Sequence, residues 1–193
     1  MDMSRTGQVH RKTGETEVRV SVNLDGGERS VSTGLGFFDH MLTALAVHGG
    51  LGLTVEAKGD LEVDCHHTVE DVGIVLGQAL GQALGDKAGL RRYGHACIPM
   101  DEALGTCAVD VSGRAFLVFR GAFPQERVGE YDSCMTEEFF RAVAMNAGLT
   151  LHLGCEYGKN THHMVEALFK AFAHALKDAV VWESGVMSTK GVL

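Results

Sequence analysis

The stretch DCHHTVED (64–71) and its echo NTHHMVEA (160–167) decide how this chain is read. Each contains H-H-x-x-E, as His66, His67 and Glu70 and again as His162, His163 and Glu166. The offset is 162 − 66 = 96 residues, half of a 193-residue chain. Imidazoles and carboxylates grouped in this way are transition-metal ligands, so the sequence predicts a duplicated metal site. Adjacent helical residues point about 100° apart, while residues four apart share a face. His66 can therefore converge with Glu70 on one ion, and His162 with Glu166, while His67 and His163 must look elsewhere. A double histidine at a helix start suits two sites, each completed from another element or another subunit. Thiolates are absent from the set, which favours Mn, Fe, Co, Ni or Zn over a cysteine-rich structural zinc site and leaves the metal open.

The duplication extends outward. Aligning His40 with Glu138 sets HGGLGLTV (48–55) against NAGLTLHL (146–153), and two extra residues in the first loop bring the histidine pairs into register. A period this long with only two units implies fused half-domains rather than a solenoid. Alternating apolar residues predict strands at 18–24 and 29–33, with a further strand at 51–57 and a short one ending at Asp64. Helical stripes cover 37–48 and 66–84. The second half repeats the order, with strands near 95–100, 105–111, 114–120 and 149–153 and helices at 137–147 and 162–178. The expected fold is α+β, two half-domains each with a mostly antiparallel four-stranded sheet and two helices. One domain spans 1–193, with repeats at about 8–88 and 93–182 and a C-terminal substrate-binding segment at 183–193.

Bulk properties narrow the function. A hydrophobic content of 45% in 193 residues supports a substantial core. No apolar run reaches membrane-spanning length, and the polar start lacks a secretory h-region. Five scattered cysteines without CxxC spacing fit reduced thiols in a cytoplasmic protein. A net charge of −8 argues against nucleic acid or an anionic membrane as partner. An anionic small molecule would need local cations, for which Arg91, Arg92, Arg114 and Lys190 are candidates. His10, His95 and His174 read as ordinary polar residues, and His48 and His152 as intermediate cases.

Several blocks together resemble one family: GLGFFDHML (34–42), DCHHTVEDVGIVLGQAL (64–80), PMDEAL (99–104), DVSGR (110–114), NAGLTLHL (146–153), GKNTHHMVEALFKAFAHAL (158–176) and STKGVL (188–193). They are similar to imidazoleglycerol-phosphate dehydratase from about Arg11 to Leu193. Cys65 stands where the motif commonly has Asp, and Glu138 where some members carry a metal-binding His. The resemblance implies a hydro-lyase of histidine biosynthesis that converts imidazole glycerol phosphate to imidazole acetol phosphate and water. It implies Mn2+, two ions per active site, and a homo-oligomeric shell of twenty-four subunits with active sites between them. It also implies helices packed between paired four-stranded sheets.

By motif position the metal ligands would be His40, His66, His67, Glu70, His162, His163 and Glu166, with Glu138 a further candidate. Glu15 resembles the acid–base glutamate, and Arg92, Arg114, Ser188, Thr189 and Lys190 the phosphate-binding group. The expected chemistry is a metal-stabilised imidazolate that expels the adjacent hydroxyl to give a diazafulvene, with a carboxylate moving the protons. Glu15 is the first choice for that task, and Glu70 and Glu166, ligands first, are the second. Two other readings are a dinuclear phosphoester hydrolase, which would release inorganic phosphate, and a metal-assembled shell without turnover.

Overall fold

The structure is a computed structural model that describes residues 5–183 and 185. Its first half runs β1 (Thr6–Lys12), β2 (Thr16–Asn23), β3 (Arg29–Ser32), α1 (Gly36–Gly49), β4 (Gly52–Gly59) and α2 (His66–Leu84). The second half runs β5 (Tyr93–Met100), β6 (Ala103–Asp110), β7 (Phe116–Arg120), α3 (Met135–Ala147), β10 (Thr150–Tyr157) and α4 (Thr161–Ala179). A small hairpin of β8 (Arg127–Val128) and β9 (Tyr131–Asp132) precedes α3. The two sheets have the same topology, β1-β2-β4-β3 and β5-β6-β10-β7. In each, three strands are antiparallel, and a parallel strand lies at the edge, β3 on β4 and β7 on β10.

The helices lie between the sheets, with α2 on β1 and β2, α4 on β5 and β6, and the halves joined through α2 against α3 and α1 against α4. Small residues permit the α2–α3 contact: a Cβ on Gly77 would stand 2.7 Å from that of Asn146. The core between the layers is aromatic, with Phe38, Tyr131, Phe139, Phe140, Phe169 and Phe172 fully buried and in ring contact. The α+β duplication expected from sequence is the observed fold.

Two details differ. The segment after β4 is a turn closed by Val63 N–H on the Asp60 carbonyl at 2.8 Å, not a short strand ending at Asp64. Both edges of β4 are already occupied by β2 and β3, so no ladder remains for it. Strand β1 was not expected, because it is an edge strand that buries only Gly7 and offers no apolar alternation.

Candidate functional site

Both histidine pairs open helices, and both openings are built alike. Asp64 Oδ1 accepts the backbone N–H of His66 at 2.7 Å, and Asn160 Oδ1, 96 residues on, accepts that of His162 at 3.0 Å. Short Asx side chains at this place satisfy N–H groups that have no intrahelical acceptor. Within each pair the ring planes stand at matching steep angles, 76° for His66–His67 and 79° for His162–His163.

The second pair joins α1 in a cluster of donors that could hold a metal ion. His40, His162 and Glu166 bring one donor atom each to within 4.8 Å of one another, and among the described residues they are the one group of three or more such donors. Glu166 Oε2 lies 3.2 Å from His162 Nε2 and 3.7 Å from His40 Nε2. Its other oxygen receives the Lys170 ammonium at 2.7 Å, and Phe37 packs edge-on against the His162 ring. Burial pushes the Glu166 carboxyl up, but Lys170, His40 and His162 outweigh burial and hold it below the usual range. The group is ionised and half committed. Two imidazoles and a carboxylate with no thiolate fit a borderline or hard divalent ion such as manganese.

The first pair stays open. His66 Nε2 lies 3.8 Å from Glu70 Oε2, both exposed, and Glu138 pairs with Arg141 at 3.6 Å. The outward-looking histidines are each braced by a carboxylate. His67 Nδ1 meets Asp60 at 3.0 Å and His163 Nδ1 meets Glu102 at 2.7 Å, which raises both imidazoles above their ordinary range. The His163 bond and the N–H groups of Lys159 and Asn160 lower Glu102 to about 2. A carboxylate on Nδ1 fixes the ring and leaves Nε2 for a ligand. Those Nε2 atoms face Glu15 Oε1 at 3.8 Å and Asp101 Oδ2 at 3.7 Å.

The cationic candidates also converge. Asp110 accepts both Arg92 Nε at 2.7 Å and Arg114 Nη2 at 3.1 Å. Arg92 is buried, adopts a left-handed backbone (φ 74°) and lies over the Tyr93 ring, whereas Arg114 is exposed. Two guanidinium groups on one carboxylate leave a net positive charge suited to phosphate. Arg91 turns instead to Glu183. Ser188, Thr189 and Lys190 lie outside the described residues.

Sequence reasoning did not single out Asp60, Glu102 or Lys170. Lys170 had a signal, its i,i+4 spacing from Glu166. Asp60 and Glu102 approach the histidines only through the turns that the sheets create.

A duplicated α+β scaffold here carries an imidazole–carboxylate cluster at a helix start that could hold a metal ion, and two arginines that share one carboxylate. The profile of the imidazoleglycerol-phosphate dehydratase family matches residues 33–176. The chain is 58% identical to the imidazoleglycerol-phosphate dehydratase of Acetivibrio thermocellus, covering 99% of this chain and 100% of that one. It is 60% identical to that of Symbiobacterium thermophilum, covering 98% and 93%. The crystal structure of the Staphylococcus aureus enzyme superposes with a TM-score of 0.84 at 44% identity, covering 92% and 99%. The Pyrococcus furiosus enzyme in complex with (S)-C348 gives 0.85 at 35% identity, covering 96% and 100%. The chain belongs to the imidazoleglycerol-phosphate dehydratase family, a family of hydro-lyases. Among the described residues no helix is long and apolar enough to cross a membrane.

Proposed function

We propose that this protein dehydrates imidazole glycerol phosphate to imidazole acetol phosphate in histidine biosynthesis, in the cytoplasm, using two Mn2+ ions per active site. The observation that carries the reading is the convergence of His40, His162 and Glu166 within 4.8 Å. His66, His67, Glu70 and His163 complete the ligand set, with Glu138 the remaining candidate. The exposed, open arrangement of the first pair supports completion by a neighbouring subunit, in an assembly of twenty-four.

When bound, the manganese supplies Lewis acidity that stabilises the substrate ring as an imidazolate. Arg92 and Arg114, with Ser188, Thr189 and Lys190, hold the phosphate and so fix the carbon chain against the ring site. The electron-rich ring expels the hydroxyl on its attached carbon, which leaves as water with the proton the ring gave up, and a diazafulvene remains. Glu15, more than half exposed on the β1–β2 turn and 3.8 Å from His67 Nε2, takes the proton from the next carbon. The resulting enol then tautomerises to the ketone. Glu70 and Glu166 serve as ligands before they serve as bases, since Glu166 is already engaged by Lys170.

The test is turnover by metal-stripped protein with and without added Mn2+, following imidazole acetol phosphate. Product that depends on restored metal is expected. Release of inorganic phosphate, or no product from assembled, metal-loaded protein, would overturn the reading. In the same assay Glu15→Gln is expected to keep metal and substrate bound while turnover falls by orders of magnitude.

A further inference from the structure

The β1–β2 turn that carries Glu15 is tied to α2 by a buried polar network. Asp71, which follows Glu70 on α2, is 7% exposed, and Thr16, which follows Glu15, is 4% exposed. The Asp71 carboxylate accepts a hydrogen bond from the Thr16 hydroxyl and pairs with Arg11. A carboxylate only accepts, so Thr16 turns its proton toward Asp71 and its lone pairs toward Thr13 Oγ1, 3.3 Å away. Thr13 Oγ1 in turn accepts the backbone N–H of Glu15 at 3.2 Å and that of Thr16 at 3.0 Å. Hydrogen bonds therefore run without a break from Asp71 to the amide of Glu15.

The duplication supplies an internal control. β2 and β6 are eight residues each and pair in the same register with their hairpin partners, which matches Thr16 to Ala103 and Arg11 to Ile98. Asp71, five residues after His66, matches Ala167, five after His162. At the matching positions the second half carries the apolar Ile98, Ala103 and Ala167, on elements that likewise pack together. Replacing a buried charged group by apolar residues is often neutral or stabilising, so the fold does not account for Arg11, Thr16 and Asp71. The turn of the second half also manages without them, because Glu102 is held by its own side chain on His163.

We infer that Asp71, acting through Thr16, Thr13 and Arg11, is a positioning residue that sets the Glu15 carboxylate against the helix start bearing His66, His67 and Glu70. The inference rests on Glu15 being the acid–base group. It predicts that the network matters to kcat and not to folding, metal content or KM.

The test transplants the second half's solution as a triple variant, Arg11→Ile with Thr16→Ala and Asp71→Ala. The expected result is an assembled protein with unaltered Mn2+ content and KM, and kcat lower by about 100-fold, the usual scale for ångström misplacement of a reacting group. Added to Glu15→Gln, the triple variant is expected to cause no further loss, because the group it positions is gone. Unchanged kcat overturns the inference, as does a loss that multiplies in the Glu15→Gln background, which would mark a structural role. Normal turnover by Glu15→Gln alone would sink the acid–base assignment itself and is read separately. Thr16→Val, which removes only the hydroxyl, carries the same test if the triple variant does not assemble, with Thr16→Ser expected to restore kcat.

Discussion

Gly94 on β5 lies so close to Ala175 on α4 that a Cβ built on it would sit 1.9 Å from the Ala175 carbonyl oxygen. Gly7 on β1 stands in the same relation to Ala79 on α2, again at 1.9 Å. The strand members are 94 − 7 = 87 residues apart and the helix members 175 − 79 = 96, so the same joint was built twice. The atom in the way is helix backbone, which cannot rotate aside. Gly7→Ala and Gly94→Ala should each cost about 1–3 kcal/mol, the range for overpacking a tight contact. Gly36→Ala, with nothing within 4 Å of the added methyl, should not destabilise. Urea unfolding midpoints compare the three, and equal midpoints would refute the close approach.

The Glu166 carboxylate is shared between Lys170 and the two imidazoles, which makes its charge the feature that recruits a cation. Glu166→Gln leaves the Lys170 ammonium facing His40 and His162 without its acid. Both lost ligation and added repulsion act in the same direction, so Mn2+ affinity at this cluster should fall at least about 10–100-fold. Glu70→Gln, whose half-exposed carboxylate has no lysine behind it among the described residues, should lower affinity less. Titration of the metal-free protein followed by the Mn2+ spin signal distinguishes the two, and equal losses would contradict the asymmetry.

Helix α2 was legible to the residue, His66–Leu84, because its apolar stripe is long and periodic. The pairing of His162 with Glu166 was legible in kind, since the i,i+4 spacing within H-H-x-x-E carries its own geometry. The partner was legible only by resemblance: nothing local in GFFDHML says that His40 meets Glu166 across the α1–α4 contact. Glu102 and Asp60 were illegible for the same reason, being acidic turn residues of ordinary appearance. β1 was hidden because a strand that contacts its helix through a bare glycine has no hydrophobic signature. What local periodicity encodes was read, and what long-range pairing creates was not.

Acid should expose one sheet-face cluster before the core. Lys12 and His10, with Arg19, hold the Glu17 carboxyl down to about 2. A depressed carboxyl contributes stability that is complete above its unfolded value, about 4.3, and is lost as pH falls toward about 2. Glu17→Gln should therefore be less stable than the unaltered protein at pH 6 and equal to it near the lower limit. High salt should shrink the pH 6 difference, since the group is solvent-screened. Parallel denaturation curves across pH test this, and a difference constant down to the lowest pH would exclude the ion cluster as its source.

Arg92 and Arg114 share Asp110 but not its environment, and the two should fail differently. Arg114 is exposed and gives up one bond of 3.1 Å, so Arg114→Ala should fold normally. If it holds phosphate in ground and transition states alike, KM rises while kcat stays near its former value. Asp110→Ala is another matter, because it strips the main acidic partner from a buried guanidinium held by two bonds. Leaving a charge buried after removing its partner costs about 3–5 kcal/mol, so this variant should lose stability before it loses affinity. Arg92→Met together with Asp110→Leu removes both charges and should recover most of that stability while phosphate binding remains impaired. Thermal unfolding and steady-state kinetics on the three variants separate the roles. A double variant no more stable than Asp110→Ala would show that the buried pair does more than neutralise itself.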